Sequence, residues 1–241
     1  TFLVGPGTGG TRGGGLPIIL NTGTPQEITA TPLSAQPTVN GACSDAEYSD
    51  VGGAKDDLNN LTLYAGMYSD YLYICTIVKW DTSNGSTGTP TDYGVIVFDR
   101  FHNGGANPQT DDRMFWVNLT SSDLWDNKGS GSAWVDCGTS CNAGDAARGA
   151  FDGTHPNYEF KIFKDDVVVS GSTTAGFGLL AFNNENSTFV RWGSLSEPVD
   201  MNKPDSWGHI TVPEFTDLLV PIAIVGVIYF IGRRRRRAAD P

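Results

Sequence analysis

Carboxylates recur in pairs and triplets along the chain: Asp45 with Glu47 and Asp50, Asp56-Asp57, Asp92 with Asp99, Asp111-Asp112 and Asp165-Asp166. Several sit in Gly/Asn/Asp-rich stretches, and calcium takes about six to eight hard oxygens from the carboxylates and carbonyls of such loops. No EF-hand spacing singles out one group. Asp45 with Glu47, and Asp111 with Asp112, are the candidate calcium ligands, and the competing reading is that these acids are solvated surface groups. Catalysis is harder to assemble. His102, His155 and His209 are the only histidines, each isolated in sequence, and no nucleophile elbow, H-E-x-x-H or C-x-x-C-H occurs. 'GPGTGG' near Gly5 mimics a dinucleotide loop, but no strand pattern precedes it and no helix pattern follows. The chain reads as non-enzymatic.

Four cysteines allow three pairings. 'CGTSC' closes a tight local loop and no His or further Cys lies near enough to suggest zinc, so the expected bridges are Cys137 with Cys141 and Cys43 with Cys75. Among six tryptophans, Trp125 and Trp134 lie in the polar stretch 'LTSSDLWDNKGSGSAWVD' and are the candidates for stacking on a sugar ring; the other four sit in strand runs and read as core. Sequons at Asn60, Asn84, Asn118 and Asn186 are glycosylation candidates.

The elements that must position these groups are strands. 'LTLYAGMY' and 'YLYICTIVKW' flank Ser69-Asp70 as a hairpin, and 'YGVIVFDRF', 'RMFWVNLT', 'SAWVDC', 'NYEFKIFK', 'GFGLLAFN', 'FVRWGSL' and 'WGHITV' continue the period of two. In 'NYEFKIFK', Tyr158, Phe160 and Ile162 share one face. About nine or ten short strands over this length give an all-β, two-sheet sandwich or jelly roll. Composition divides the chain into a Gly/Pro/Thr-rich N-terminal arm over 1–39, the sandwich over 40–212 and a tail over 213–241. The arm carries a strand-sized apolar patch, with Ile18, Leu20, Ile28 and Ala30 as candidate inward positions of a strand donated to a neighbour.

The tail places the protein. An apolar run from Leu218 to Ile231 is closed by Arg233, Arg234, Arg235, Arg236 and Arg237. That is the pattern of a C-terminal transmembrane helix stopped on the cytoplasmic side, short of the usual ~20 residues but extended by snorkelling arginine stems. An N-terminus at Thr1 without methionine fits a secreted chain whose leader has been removed. Of 16 basic residues 11 precede the tail, against 24 acids, so the ectodomain carries about −13, which repels nucleic acid and suits divalent cations.

Two resemblances follow. Pro213-Glu214-Phe215, then the apolar run, then the arginines resemble the PEF-CTERM class of archaeal C-terminal sorting signals, which implies an archaeal surface protein, either membrane-anchored or processed by a sortase-type enzyme. From Val39 to Val212, 'VNGACSDAEYSDVGG', the Asp70 hairpin with Leu72-Tyr73, 'DYGVIVFDRFHNG', 'DDRMFWVN', 'NYEFKI' and 'PDSWGHITV' resemble in order the family 9 carbohydrate-binding modules and the related DOMON-like sandwiches. That resemblance implies a β-sandwich and a structural calcium. The expected role is a self-assembling subunit of an extracellular filament, sheath or surface layer, built by strand donation. A membrane-anchored module for a cell-surface glycan is the alternative. A DOMON-type haem domain is a third, with Met67, Met114 and His155 as axial candidates.

Overall fold

Fourteen strands and three short 3-10 helices make up the residues described in this computed structural model, which are 26–58, 60–85, 91–138, 141, 144–193 and 200–213. The strands form two sheets. In the larger, β1 (Glu27–Thr29), β14 (Gly208–Thr211), β12 (Thr174–Asn183), β6 (Tyr93–Asp99), β7 (Arg113–Asn118), β8 (Trp125–Gly129) and β9 (Trp134–Asp136) lie side by side. There β13 (Thr188–Trp192) shares the outer edge of β12 with β14. The smaller sheet runs β10 (Ala146–Phe151), β11 (Pro156–Phe163), β5 (Tyr71–Ile77), β4 (Thr62–Tyr68), with β2 (Thr31–Pro32) and β3 (Ala54–Asp57) both on the far edge of β4.

Alternation along each strand sorts side chains to opposite faces. Ile96 and Phe98 of β6, Phe115 and Val117 of β7, Phe177 and Leu179 of β12 and Trp192 of β13 point inward, where they meet Leu63, Met67, Ile74, Tyr158, Phe160 and Ile162 from the smaller sheet. The period-two reading of 'NYEFKIFK' is therefore the observed one, and the all-β sandwich with its Ser69-Asp70 hairpin forms as expected.

The arm is where sequence and structure part. Residues 26–39 belong to the sandwich: β1 runs parallel to β14 in one sheet and β2 parallel to β4 in the other, so this segment crosses between the sheets and closes one side. Ile28 is 6% exposed and Ala30 fully buried in this chain's own core, so these two are spent within the chain and not donated to a neighbour. The edges of β14 and β4 need a partner, and one supplied by the same chain carries no cost of association. Ile18 and Leu20 lie outside the described residues, as do the apolar run and arginines of the tail. Among the described residues no helix is long and apolar enough to cross a membrane.

The outer face of the smaller sheet is covered by the segment 33–53. Leu33 and Tyr48 pack on Tyr64, Tyr73 and Cys75, and the Cys43–Cys75 disulfide ties the segment down. Glu159 does the same work without a covalent bond. Its side chain, fully buried on β11, accepts the N–H groups of Asn40 and Gly41 at 2.8 and 2.9 Å on one oxygen and the Tyr48 hydroxyl at 2.6 Å on the other. Burial raises its pKa while the three donors oppose the shift. Removing the acceptor leaves the buried Tyr48 hydroxyl and Gly41 N–H without a partner. Glu159→Ala is expected to lower unfolding stability by about 3 kcal/mol, read as a fall in the urea midpoint at unchanged slope.

Candidate functional site

The outer face of the larger sheet is apolar but only partly covered. Val95 and Val97 of β6 and Leu180 of β12 lie on it and are buried, together with Trp207. Over one end, Trp134 of β9 and Trp207, just before β14, stack at 6.3 Å with their planes 9° apart. On a flat sheet β9 and β14 would be about 24 Å apart, five strand spacings. The sheet is therefore curled, with its outer face concave. The segment 200–207 fills this end, since Trp134 Nε1 donates to Met201 O and Trp207 Nε1 to Asp200 O.

The other end is an open row of rings. Phe189 of β13, Phe182 of β12 and Tyr93 of β6 are direct cross-strand neighbours, with ring centroids 4.8 and 5.0 Å apart. Trp116 of β7 meets Tyr93 edge-on at 6.2 Å, and Trp125 of β8 stacks on Trp116 at 4.2 Å. The row crosses five strands, about 19 Å, and all five side chains are half-exposed. Polar groups flank it: Asn118 opposite Tyr93, Asn127 two residues beyond Trp125, and Arg191, whose guanidinium lies 5.4 Å over the Phe189 ring. Ring faces for stacking with amide and guanidinium groups beside them are the equipment for recognising a pyranose.

Trp125 thus stands in the row, whereas Trp134 is turned to Trp207 with its N–H engaged. Tyr93, Trp116, Phe182 and Phe189 were missed because each lies in a largely apolar strand run, which by sequence reads as core. Phase puts Trp116 on the face opposite Phe115 and Val117, but the sequence does not say which of the two faces is the interior. Both expected disulfides are present. Of the sequons, Asn84 and Asn186 are exposed, Asn60 is half-buried, and Asn118 is half-buried at the aromatic row itself. The DOMON-type axial candidates do not converge: Met67 is fully buried between the sheets, Met114 is on the outer face, and His155 Nδ1 is engaged by Asp81 O.

The acids regroup. Asp45 is exposed and bound to Lys55, Tyr64 and Ser49, so that the lysine holds its pKa low, and Glu47 accepts the Thr38 N–H. Neither joins a cation cluster, because Lys55 on β3 already supplies the counter-charge for Asp45. Asp111 and Asp112 do cluster, with Asp99, their ligand oxygens within 4.8 Å of one another. A second triplet, Asp81, Asp92 and Glu185, was not foreseen, since it draws on three separate stretches. A third group, Asp126 with Cys137 and Cys141, has its sulfurs committed to the disulfide.

Both triplets fit a hard cation. Asp112 and Asp92 are fully buried, and Asp112 Oδ1 and Asp92 Oδ2 have no hydrogen-bond partner among the described residues. Burial, with Asp99 and Asp111 adding repulsion, pushes Asp112 up to about 7. Burial, with Asp81 and Glu185, pushes Asp92 up to about 6. Each cluster would hold a proton at mildly acid pH or a cation above it.

The chain was compared with known proteins. No protein-family model and no curated protein matches it. Two solved structures of a family 9 carbohydrate-binding module from Caldicellulosiruptor kristjanssonii are similar in fold. The complex with cellotriose has a TM-score of 0.55 at 15% identity, over 78% of this chain and 93% of that one. The complex with glucose has a TM-score of 0.56 at 14% identity, over 78% and 96%.

The raised carboxyls set a pH dependence whose direction follows from linkage. In the native state Asp92, Asp112 and the partly buried Asp145 hold protons up to about 6, 7 and 7, whereas unfolded carboxyls release them near about 3.9. The native state therefore binds more protons between these limits, so its stability falls as pH rises from about 4 and levels off above about 6 to 7. In chelator the melting temperature is expected to be higher at pH 5 than at pH 8. Calcium is expected to raise it mainly at pH 8. A melting temperature unchanged by calcium at pH 8 would remove the cation from the two triplets. The fold thus matches that of a carbohydrate-binding module, with an open aromatic row on the concave face of its larger sheet.

Proposed function

We propose that this protein is a non-catalytic carbohydrate-binding domain of the cell surface, and that its ligand lies along the row Phe189, Phe182, Tyr93, Trp116 and Trp125. The observation that carries the reading is that row: five half-exposed rings in mutual contact, aligned across five strands on a face the protein otherwise covers. An apolar strip of this kind is left open where something docks on it. Pyranose rings present a flat C–H face to an indole, and Asn118, Asn127 and Arg191 are placed to meet hydroxyls at the margin. The fold likeness to modules solved with cellotriose and with glucose supports the same ligand class.

The disulfides, the sequons and the apolar tail closed by arginines support a position outside the cell, anchored or sorted through the C-terminus. Calcium at the Asp99–Asp111–Asp112 and Asp81–Asp92–Glu185 clusters would neutralise carboxylates packed within 4.8 Å and fix the loops that bear them. For the filament reading the principal support was the donor strand, and Ile28 and Ala30 are used within the chain. Glycan binding takes precedence.

The test is titration calorimetry against β-linked and α-linked oligosaccharides. Trp125→Ala is expected to weaken binding of the preferred glycan at least about tenfold, equivalent to about 1.4 kcal/mol. Trp192→Phe, a change in the core, is expected to leave the affinity alone. Failure of every glycan to bind, or an affinity untouched by Trp125→Ala and Phe182→Ala, would reject this face as the site.

A further inference from the structure

The three histidines of the chain are far apart in sequence, yet two of them meet. His102, in the loop after β6, and His209, on β14, lie edge to face with ring centroids 4.4 Å apart. Both line a cavity of about 280 Å³ with Asp99, Asn103, Asp205 and Trp207. The cavity lies at the far end of the concave face from the open row, where Gly176 of β12 pairs with Asp99 on one side and His209 on the other.

Its walls are built to hold these rings. Gly105 N–H donates to Asp205 Oδ1 at 2.7 Å and Asp205 N–H donates to Gly105 O at 3.1 Å, so the loop is latched to the segment before β14. Asp99 accepts Asn103 N–H on one oxygen and Gly104 N–H on the other, fixing the turn that carries His102. His102 has φ 52°, the left-handed region that a side chain rarely adopts. Gly104 has φ 65°, which favours glycine, and a Cβ there would push against Asp205 Oδ1 at 2.3 Å and disturb the latch. His209 Nδ1 is buried without a hydrogen-bond partner among the described residues, and burial, with His102 beside it, keeps the imidazole neutral by lowering its pKa. Two imidazoles with carboxylates nearby, in a cavity whose lining is mostly polar or glycine, do not suit an apolar ligand.

We propose that His102 and His209 bind one divalent cation of intermediate softness, of the zinc, nickel or copper type. Imidazole nitrogen suits these ions, whereas calcium and magnesium take oxygen. Asp205 is committed to Gly105 and does not join the two imidazoles as a third ligand, so water completes the coordination. The site differs in chemistry from the two carboxylate clusters, although Asp99 both lines this cavity and belongs to the cluster with Asp111 and Asp112.

Calorimetry with zinc chloride on the 241-residue chain, in millimolar calcium to fill the oxygen clusters, tests the assignment. One zinc per chain is expected. His102→Gln, an exposed loop position that leaves the core untouched, and His209→Gln should each weaken it at least about tenfold, while His155→Gln and Asp112→Asn leave it unchanged. Cobalt in place of zinc should give visible absorption that His102→Gln removes. Zinc binding that persists undiminished in His102→Gln, or that calcium displaces, would overturn the proposal, as would the absence of zinc binding.

Discussion

The central strands of the larger sheet carry apolar side chains on both faces, and only one face can lie between the sheets. In β6 the inner face is Ile96 and Phe98 and the outer face Tyr93, Val95 and Val97; β7 and β12 repeat the pattern. The rest of the molecule answers to this surplus. Curling brings Trp134 to Trp207, and the segment 200–207 is drawn across to bury Val97 and its neighbours. What remains uncovered is the strip from Phe189 to Trp125. The proposed ligand site is thus the part of a doubly apolar sheet that the described residues leave uncovered.

Buried carboxylates divide into two kinds. Glu159 is satisfied: three donors surround it, and it holds the segment 40–48 to β11. Asp92 and Asp112 are not, each having one oxygen without a donor and two further acids beside it. A folded protein tolerates such oxygens when a proton or a cation meets them. The formal charge of −11 makes a cation the cheaper answer at neutral pH.

What the sequence disclosed was what depends on near neighbours. Period two gave the main strands, Ser69-Asp70 the hairpin, and cysteine spacing the local bridge, from which the second followed. What it hid was what depends on three-dimensional return. 'EITATP' reads as arm because Pro25 and Pro32 bracket it and the strand has only three residues, yet it closes both sheets. Asp45 and Glu47 look like cation ligands until Lys55 and the Thr38 amide occupy them. His102 and His209 look isolated because 107 positions separate them, and only the register of β12 with β6 and β14 brings them together. The face of an alternating strand is legible in phase, but which face is the interior is not, so Trp116 reads as core.

The aromatic row is also stiff. Phe189, Phe182 and Tyr93 sit on three strands joined by continuous backbone ladders, and each ring is wedged against the next. A binding surface already ordered loses little side-chain entropy when its ligand arrives, so modest stacking energies survive as affinity. The Asp81–Asp92–Glu185 cluster adds to this at one end, since Asp92 directly precedes Tyr93 and Glu185 lies in the turn between Phe182 and Phe189. The Asn184 N–H already donates to Asp92 Oδ1, so that turn is tied to the start of β6. A cation bridging Asp92 and Glu185 would lock the same turn a second time, and the stiffness of the row and the charge state of the acids beneath it are one property.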